Sequence, residues 1–319
     1  MLAKHILIVL AFFNLSLSLN AQAGEPPIGV IHFFNEKTLT YDIYCENTAP
    51  DIYTVELDFD ELSGLKPSVP YPLRRTIEPG RHLIMRLRQK EIDDQGYFKI
   101  ALTYRRGCLK YKLEKNFPYL VPIKEGNIAK LVCSDSLLSF YHCPISSGRL
   151  MKKDTILYIN GFFAQSGEEI TAARRGIVSK VKNYQTDSTL HDSGLGYYLD
   201  IQHADGSYAR YDGIQKDSML VEIGQLVEAG EPIALVRKSL SGDTFFSLRI
   251  FCYEDRIVTD KIGPSNVKLV MMPIHFQGAT STCCSHFYEV VHPEETIIRE
   301  MSKRELRRWT RKRAKGKVD

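Results

Sequence analysis

The chain has 319 residues, of which 44% are hydrophobic and 25% charged, a balance that excludes extended disorder, a collagen-like rod and a coiled coil. This length accommodates two domains of roughly 100–200 residues each, and it can bury a core without metals or disulfides being needed simply to fold. The formal charge of +4 belongs to one end: Met301–Asp319 holds nine Lys or Arg against Glu305 and Asp319, and setting aside that tail and Lys4 leaves about −4 on the remainder, so no globular basic face for nucleic acid is expected.

Residues 1–23 read as a secretory signal. Lys4 and His5 precede the apolar run Ile6–Leu19, and Ala21-Gln22-Ala23 then offers a small-residue cleavage site before Gly24. The mature chain is therefore expected in a periplasm or secreted. No later segment is long and apolar enough for a transmembrane anchor after signal removal.

Residues 24–120 alternate with period two. Tyr53, Val55, Leu57 and Phe59 share one side, and the pattern returns at Leu83, Met85 and Leu87 and at Phe98, Ile100, Leu102 and Tyr104. Strands with one dry and one wet face need a second sheet to cover them, which predicts a β-sandwich-like domain. Residues 121–153 form a connector, with a short helix expected over Asn127–Leu138. Residues 154–278 form a second all-β domain. Within it Tyr198–His203 alternates, turns at Ala204-Asp205-Gly206 and returns through Tyr211, a hairpin signal in which Asp-Gly supplies the left-handed backbone. Residues 279–319 hold Cys283-Cys284 and a basic helix expected over Pro293–Arg313, with Glu294 and Glu295 early and Arg311, Lys312 and Arg313 late, as the helix dipole favours. The fold class is all-β, with two β domains and a C-terminal basic helix.

Seven cysteines in an exported chain lead to an expectation of disulfide bonds. Cys45 with Cys108, Cys133 with Cys143, and Cys252 with the Cys283-Cys284 turn are the pairings considered. Zinc held by cysteine is not expected, because no C-x-x-C pair occurs.

Three stretches of the second domain resemble the M23 (LytM/lysostaphin-type) peptidase core. Gly167–Val178 (GEEITAARRGIV) is similar to the family's G-T-P-V-x-A-A-x-x-G-x-V, Ile201–Tyr211 (IQHADGSYARY) to its I-x-H-x-D-G…Y hairpin, and Val221–Ala234 to its V-x-x-G-Q-x-V-x-x-G-x-x-I-A turns. The resemblance implies a zinc endopeptidase ancestry that cuts peptide cross-bridges of bacterial cell walls, with metal on H-x-x-x-D and on the second His of H-x-H. The first His of that pair and the His of Y-x-H assist. Zinc needs three fixed ligands and an open position for water. Carried onto this chain, those positions are Leu157, Gly161, Gly213, Ser247 and Arg249. A guanidinium is a fixed cation that repels a metal ion.

The expectation is therefore a pseudo-peptidase with no catalytic residues, no metal ligands and no cofactor. Its candidate ligand groove is Tyr211, Asp212 and Arg249, with Arg249 either pairing with Asp212 or Glu254 or receiving a carboxylate. His203 reads as structural, and Ser247 lacks a G-x-S-x-G elbow. The implied function is that of a cell-envelope scaffold, a peptidoglycan-binding module or a regulator of wall hydrolases. Partners would be peptidoglycan or a wall hydrolase, and an anionic envelope surface for the basic tail. The alternative is an active zinc metalloendopeptidase cutting peptidoglycan cross-bridges, with zinc as its cofactor.

Overall fold

The computed structural model describes residues 26–90, 96–114, 116–132, 160–183, 197–237, 245–253, 263–264, 269–277 and 287–315. The expected signal at 1–23, Cys133, Cys143, Leu157, Glu254, Cys283 and Cys284 lie outside them.

The front region contains β1 (Ile28–Asn35), β2 (Thr40–Asn47), β3 (Tyr53–Ser63), β4 (Leu65–Pro67), β5 (Leu73–Ile77), β6 (Gly80–Gln89) and β7 (Tyr97–Arg106). After β8 (Pro118–Leu120) and β9 (Ile128–Val132), the second region runs through β10 (Asn160–Phe163), β11 (Glu169–Thr171), β12 (Gly176–Asn183), β13 (Tyr197–Gln202), β14 (Tyr208–Met219), β15 (Leu226–Val227), β16 (Pro232–Val236) and β17 (Phe245–Tyr253). Then follow β18 (Gly263–Pro264), β19 (Leu269–Met272), β20 (His275–Gln277), β21 (Phe287–Glu289), α1 (Glu294–Ile298) and α2 (Lys303–Lys315). Among the described residues the molecule is predominantly β, with helix only near the C-terminal end.

Two four-stranded sheets, ordered β1-β2-β6-β4 and β18-β7-β3-β5, make the front sandwich. Ile43, Val55, Leu57, Ile77, Met85 and Leu87 fill the space between them and are essentially inaccessible, and each such side chain contributes about 1.5–3 kcal/mol relative to exposure. The alternation in β3 and β7 thus places Val55, Leu57 and Tyr104 inward. β18 joins β7 in parallel, Gly263 opposite Thr103, so a strand from far downstream completes the front sheet.

An eleven-stranded sheet runs along the order β15-β12-β13-β14-β17-β10-β9-β21, with β16 also joined to β14 and β11, and β19 to β17. One face carries Val178, Leu199, Ile201, Ala209, Phe246, Leu248 and Ile250 into the second core. The β13–β14 hairpin closes through His203 N–H to Ser207 O at 2.9 Å, with Gly206 at φ +88° in the turn. The helix expected over Asn127–Leu138 is not formed in its described part, because Ile128–Val132 is a strand between β10 and β21. Ala129 and Leu131 point inward while Ile128 is 58% exposed, so period two together with two partner strands prevails over local helix propensity.

The single C-terminal helix expected is two helices. The chain breaks at Arg299–Ser302, and α2 restarts with a capping box: Ser302 Oγ accepts Glu305 N–H at 3.3 Å while Glu305 accepts Ser302 N–H at 2.8 Å. No described helix is long and apolar enough to cross a membrane.

The disulfide expectation is corrected. No disulfide joins Cys45, Cys108 or Cys252. Cys45 lies wholly within the front core, where burial pushes its thiol up to about 12. Cys108 instead sits against the hairpin turn of the second domain, so close that a Cβ on Gly206 would fall 2.6 Å from its sulfur. The proposed partners are thus held in different places by packing that cysteine spacing does not encode. Burial likewise raises the Cys252 thiol.

Candidate functional site

The face of the second sheet turned away from its core carries Gly161, Ser247 and Arg249, three of the positions implied by the resemblance. Residues directly opposite on paired strands share a face. Gly161 lies opposite Ser247, Ser247 opposite Asp212, and Asp212 opposite Tyr198, which faces Lys182. Two residues along, Arg249 faces Arg210, Arg210 faces Asp200, and Asp200 faces Lys180. The sheet therefore presents two polar rows side by side.

The acids in these rows are spent on arginines. Asp212 is fully buried and accepts from Arg249 Nη2 at 2.6 Å and Nε at 3.0 Å, with Ser247 Oγ at 3.4 Å. Asp200, also fully buried, accepts from Arg210 Nε at 2.6 Å and Nη2 at 2.9 Å. Burial alone would raise the Asp200 carboxyl, but Arg210 and Arg106 outweigh it and hold it below the usual carboxylate range. Arg210 lies over the Tyr198 ring at 4.1 Å.

The front sandwich reaches into this face through Arg106, the last residue of β7. Its guanidinium donates to Asp51 at 2.5 Å, Asp200 at 3.3 Å, Ser179 Oγ at 2.9 Å and Tyr253 Oη at 2.9 Å, and it lies 5.2 Å from the Tyr208 ring centre. Asp51 is nearly inaccessible. One arginine thus joins an acid from each β domain, and its charge is used within the fold.

A zinc ion does not fit this donor set. Gly161 and Gly213 offer no side-chain donor, and Arg249 brings a permanent positive charge beside the Asp212 carboxylate. Gly213 also has φ +87°, and a Cβ there would approach Phe245 O to 2.7 Å and Phe246 Cα to 3.0 Å. The backbone itself thus rejects a histidine at that position. Among the described residues no group of three or more His, Cys, Asp or Glu could hold a metal ion.

Of the expected groove residues, Asp212 and Arg249 come together on the polar face, whereas Tyr211 does not line it. Successive strand residues point to opposite faces. Tyr211 accordingly sits in the core with no exposed surface, its hydroxyl accepting the Ala173 N–H at 2.8 Å. His203 is bound into the hairpin base, Nδ1 donating to Arg175 O at 2.8 Å, and burial together with Arg174 holds its imidazole down to about 3. His275 is exposed on β20. Asp187, His191, Asp192 and His286 lie outside the described residues.

Lys180, Lys182, Asp200, Arg210 and Arg106 were not singled out from sequence. For all but Arg106 a signal was available: Lys180-x-Lys182, Tyr198-x-Asp200 and Arg210-x-Asp212 place polar groups at every second position of their strands. A further arginine, Arg174, is 2% exposed and lies 3.7 Å from the Phe117 ring centre. It donates to Glu300 at 2.7 and 3.1 Å and to Asp205 at 2.9 Å, pinning the C-terminal segment to the hairpin.

Residues 160–250 match the family model described as Peptidase family M23. Similar solved structures include the catalytic domain of the prophage-encoded M23 protein EnpA from Enterococcus faecalis (21% identity, TM-score 0.25, covering 34% of this chain and 82% of that one). They also include Csd3 from Helicobacter pylori (14% identity, TM-score 0.30, 92% and 77%) and a zinc-containing peptidase from Vibrio cholerae (14% identity, TM-score 0.26, 69% and 81%). No curated protein matches. The region spanning residues 160–250 has an M23-type peptidase fold.

Proposed function

We propose that this protein is an exported, noncatalytic M23-like component of the cell envelope, which engages peptidoglycan or a wall hydrolase as a scaffold, binding module or regulator. The observation that carries the reading is the Arg249–Asp212 pair: the guanidinium at the position to which the sequence resemblance assigns a ligand histidine is bonded to the neighbouring buried acid. Such a face lacks the donors that would hold a metal ion and activate water. Sedimentation of the mature protein with purified peptidoglycan, alongside analysis of soluble fragments with and without added zinc, tests it. Co-sedimentation without release of wall fragments is expected, and zinc-dependent release would overturn the proposal.

The basic helix has its own part in this reading. Lys303, Arg304, Arg307, Arg308, Arg311 and Lys312 are exposed and make no ion pair among the described residues, while Leu306 and Trp309 are half-buried. A row of unneutralised cations on a helix anchored through Arg175–Glu305 suits electrostatic attachment to an anionic phospholipid surface.

A further inference from the structure

We propose that the polar face of the second sheet contains an anion subsite formed by Lys180 and Lys182, and that its ligand is the carboxylate of an acidic peptide. The proposal rests on the noncatalytic reading only for the source of that peptide, which would be the wall.

Charge accounting on this face points to the two lysines. Arg249 is matched by Asp212 and Arg210 by Asp200, while Arg106 is shared between Asp51 and Asp200. Lys180 and Lys182 stand two residues apart on β12 and so project from the same face. Neither ammonium group makes an ion pair or hydrogen bond among the described residues. Lys180 is half-buried and lies 5.6 Å from the Tyr198 ring centre. The groups facing it are Asp200 directly across, Arg210 and Tyr198 beyond, and Arg106 from the front sandwich.

An ammonium partly withdrawn from water without an anion of its own is costly to the fold. Burial, reinforced by Arg106, accordingly pushes Lys180 down to about 8, with Asp200 offsetting only part of it. The excess positive charge is local, because the chain between the signal and the tail is net negative. The ligand class follows from the donors. The arginine forks that would grip a phosphate in two-point fashion are occupied by Asp200 and Asp212, leaving point-charge ammonium groups that suit a monoanion. Two cations on alternate positions of β12 therefore select an acidic side chain or a chain-terminal carboxylate.

The test is calorimetric titration of the mature protein at neutral pH and low salt with N-acetyl-Ala-Glu-amide and, separately, with its Gln counterpart. Binding of the Glu peptide is expected to be about tenfold tighter than that of the Gln peptide. Lys180→Met should bring the Glu peptide down to the Gln level, while Lys180→Arg should stay within about threefold of the parent, since the charge is kept. Lys182→Met, at an exposed position, provides a variant whose folding is not in question, and it should also weaken the Glu peptide selectively. Equal binding of the two peptides, or Glu-peptide binding unchanged in both Met variants, would overturn the subsite. Inorganic phosphate binding more tightly than acetate would overturn the carboxylate assignment. Loss of the Glu preference with peptidoglycan sedimentation retained sinks the subsite alone. A preserved preference without sedimentation supports the subsite and removes the wall as its source.

Discussion

Replacing Arg249 by Ala would take the guanidinium partner from the buried Asp212 carboxylate. Asp212 is fully buried and Arg249 is 21% exposed, so the variant removes both hydrogen bonds that the guanidinium donates to the acid and leaves the Ser247 hydroxyl at 3.4 Å. Breaking a buried pair from one side typically costs about 3–5 kcal/mol, and the partial exposure of Arg249 favours the lower end, about 3 kcal/mol. For a domain of this size that corresponds to a fall in melting temperature of roughly 6–12 °C. Differential scanning calorimetry is the assay, because the separate front and second cores allow the affected transition to be identified. The double variant Asp212→Asn/Arg249→Gln removes both charges and should lie within about 1 kcal/mol of the parent. A melt of Arg249→Ala within about 1 °C of the parent would refute the view that this arginine balances a buried acid.

Acid stability should report His203. Its imidazole is neutral in the fold and held down to about 3, whereas in the unfolded chain it titrates near 6.5, so the unfolded state takes up the proton first. Stability should therefore fall as pH drops from about 6.5 toward 3, by up to about 1.4 kcal/mol per pH unit from this group, and denaturant titrations of His203→Gln should show a shallower slope there. Gly213→His should destabilise by at least about 2 kcal/mol, because it combines a left-handed backbone with a Cβ pressed on Phe245 O; a stable variant would show that the turn can relax. Glu300→Ala should cost about 1.5–3 kcal/mol and speed limited trypsin cleavage within α2, since it removes the bidentate hold of Arg174. Anionic vesicles should sediment the full mature chain at low salt and lose it at high salt, and truncation before Met301 should abolish that binding.

Local patterning made much of this molecule readable. Val55 and Leu57 alternate with Glu56 and Asp58 because one side of β3 faces the sandwich core, and Ala204-Asp205-Gly206 turns where the backbone bonds close. The arginine at 249 was identifiable because its strand is marked by Phe245, Phe246 and Leu248. Long-range partnerships were not readable. Arg106 meets Asp200 across 94 residues, and Arg174 meets Glu300 across 126; nothing in the neighbourhood of either arginine specifies its acid. The break between α1 and α2 follows from the same cause, since Glu300 is drawn to Arg174 at the point where the helix would otherwise continue. Tyr211 entered the groove with Asp212 as part of the stretch resembling Y-x-H, yet neighbours along a strand lie on opposite faces.

Zinc binding by the purified mature protein tests the central claim most directly. Metal analysis after dialysis against micromolar zinc, with Arg249→His measured in parallel, should find no stoichiometric zinc in either protein, because Gly161 and Gly213 supply no ligands to complement one new imidazole. One equivalent of zinc retained by the parent chain and lost on mutation of residues on the β14–β17 face would contradict it.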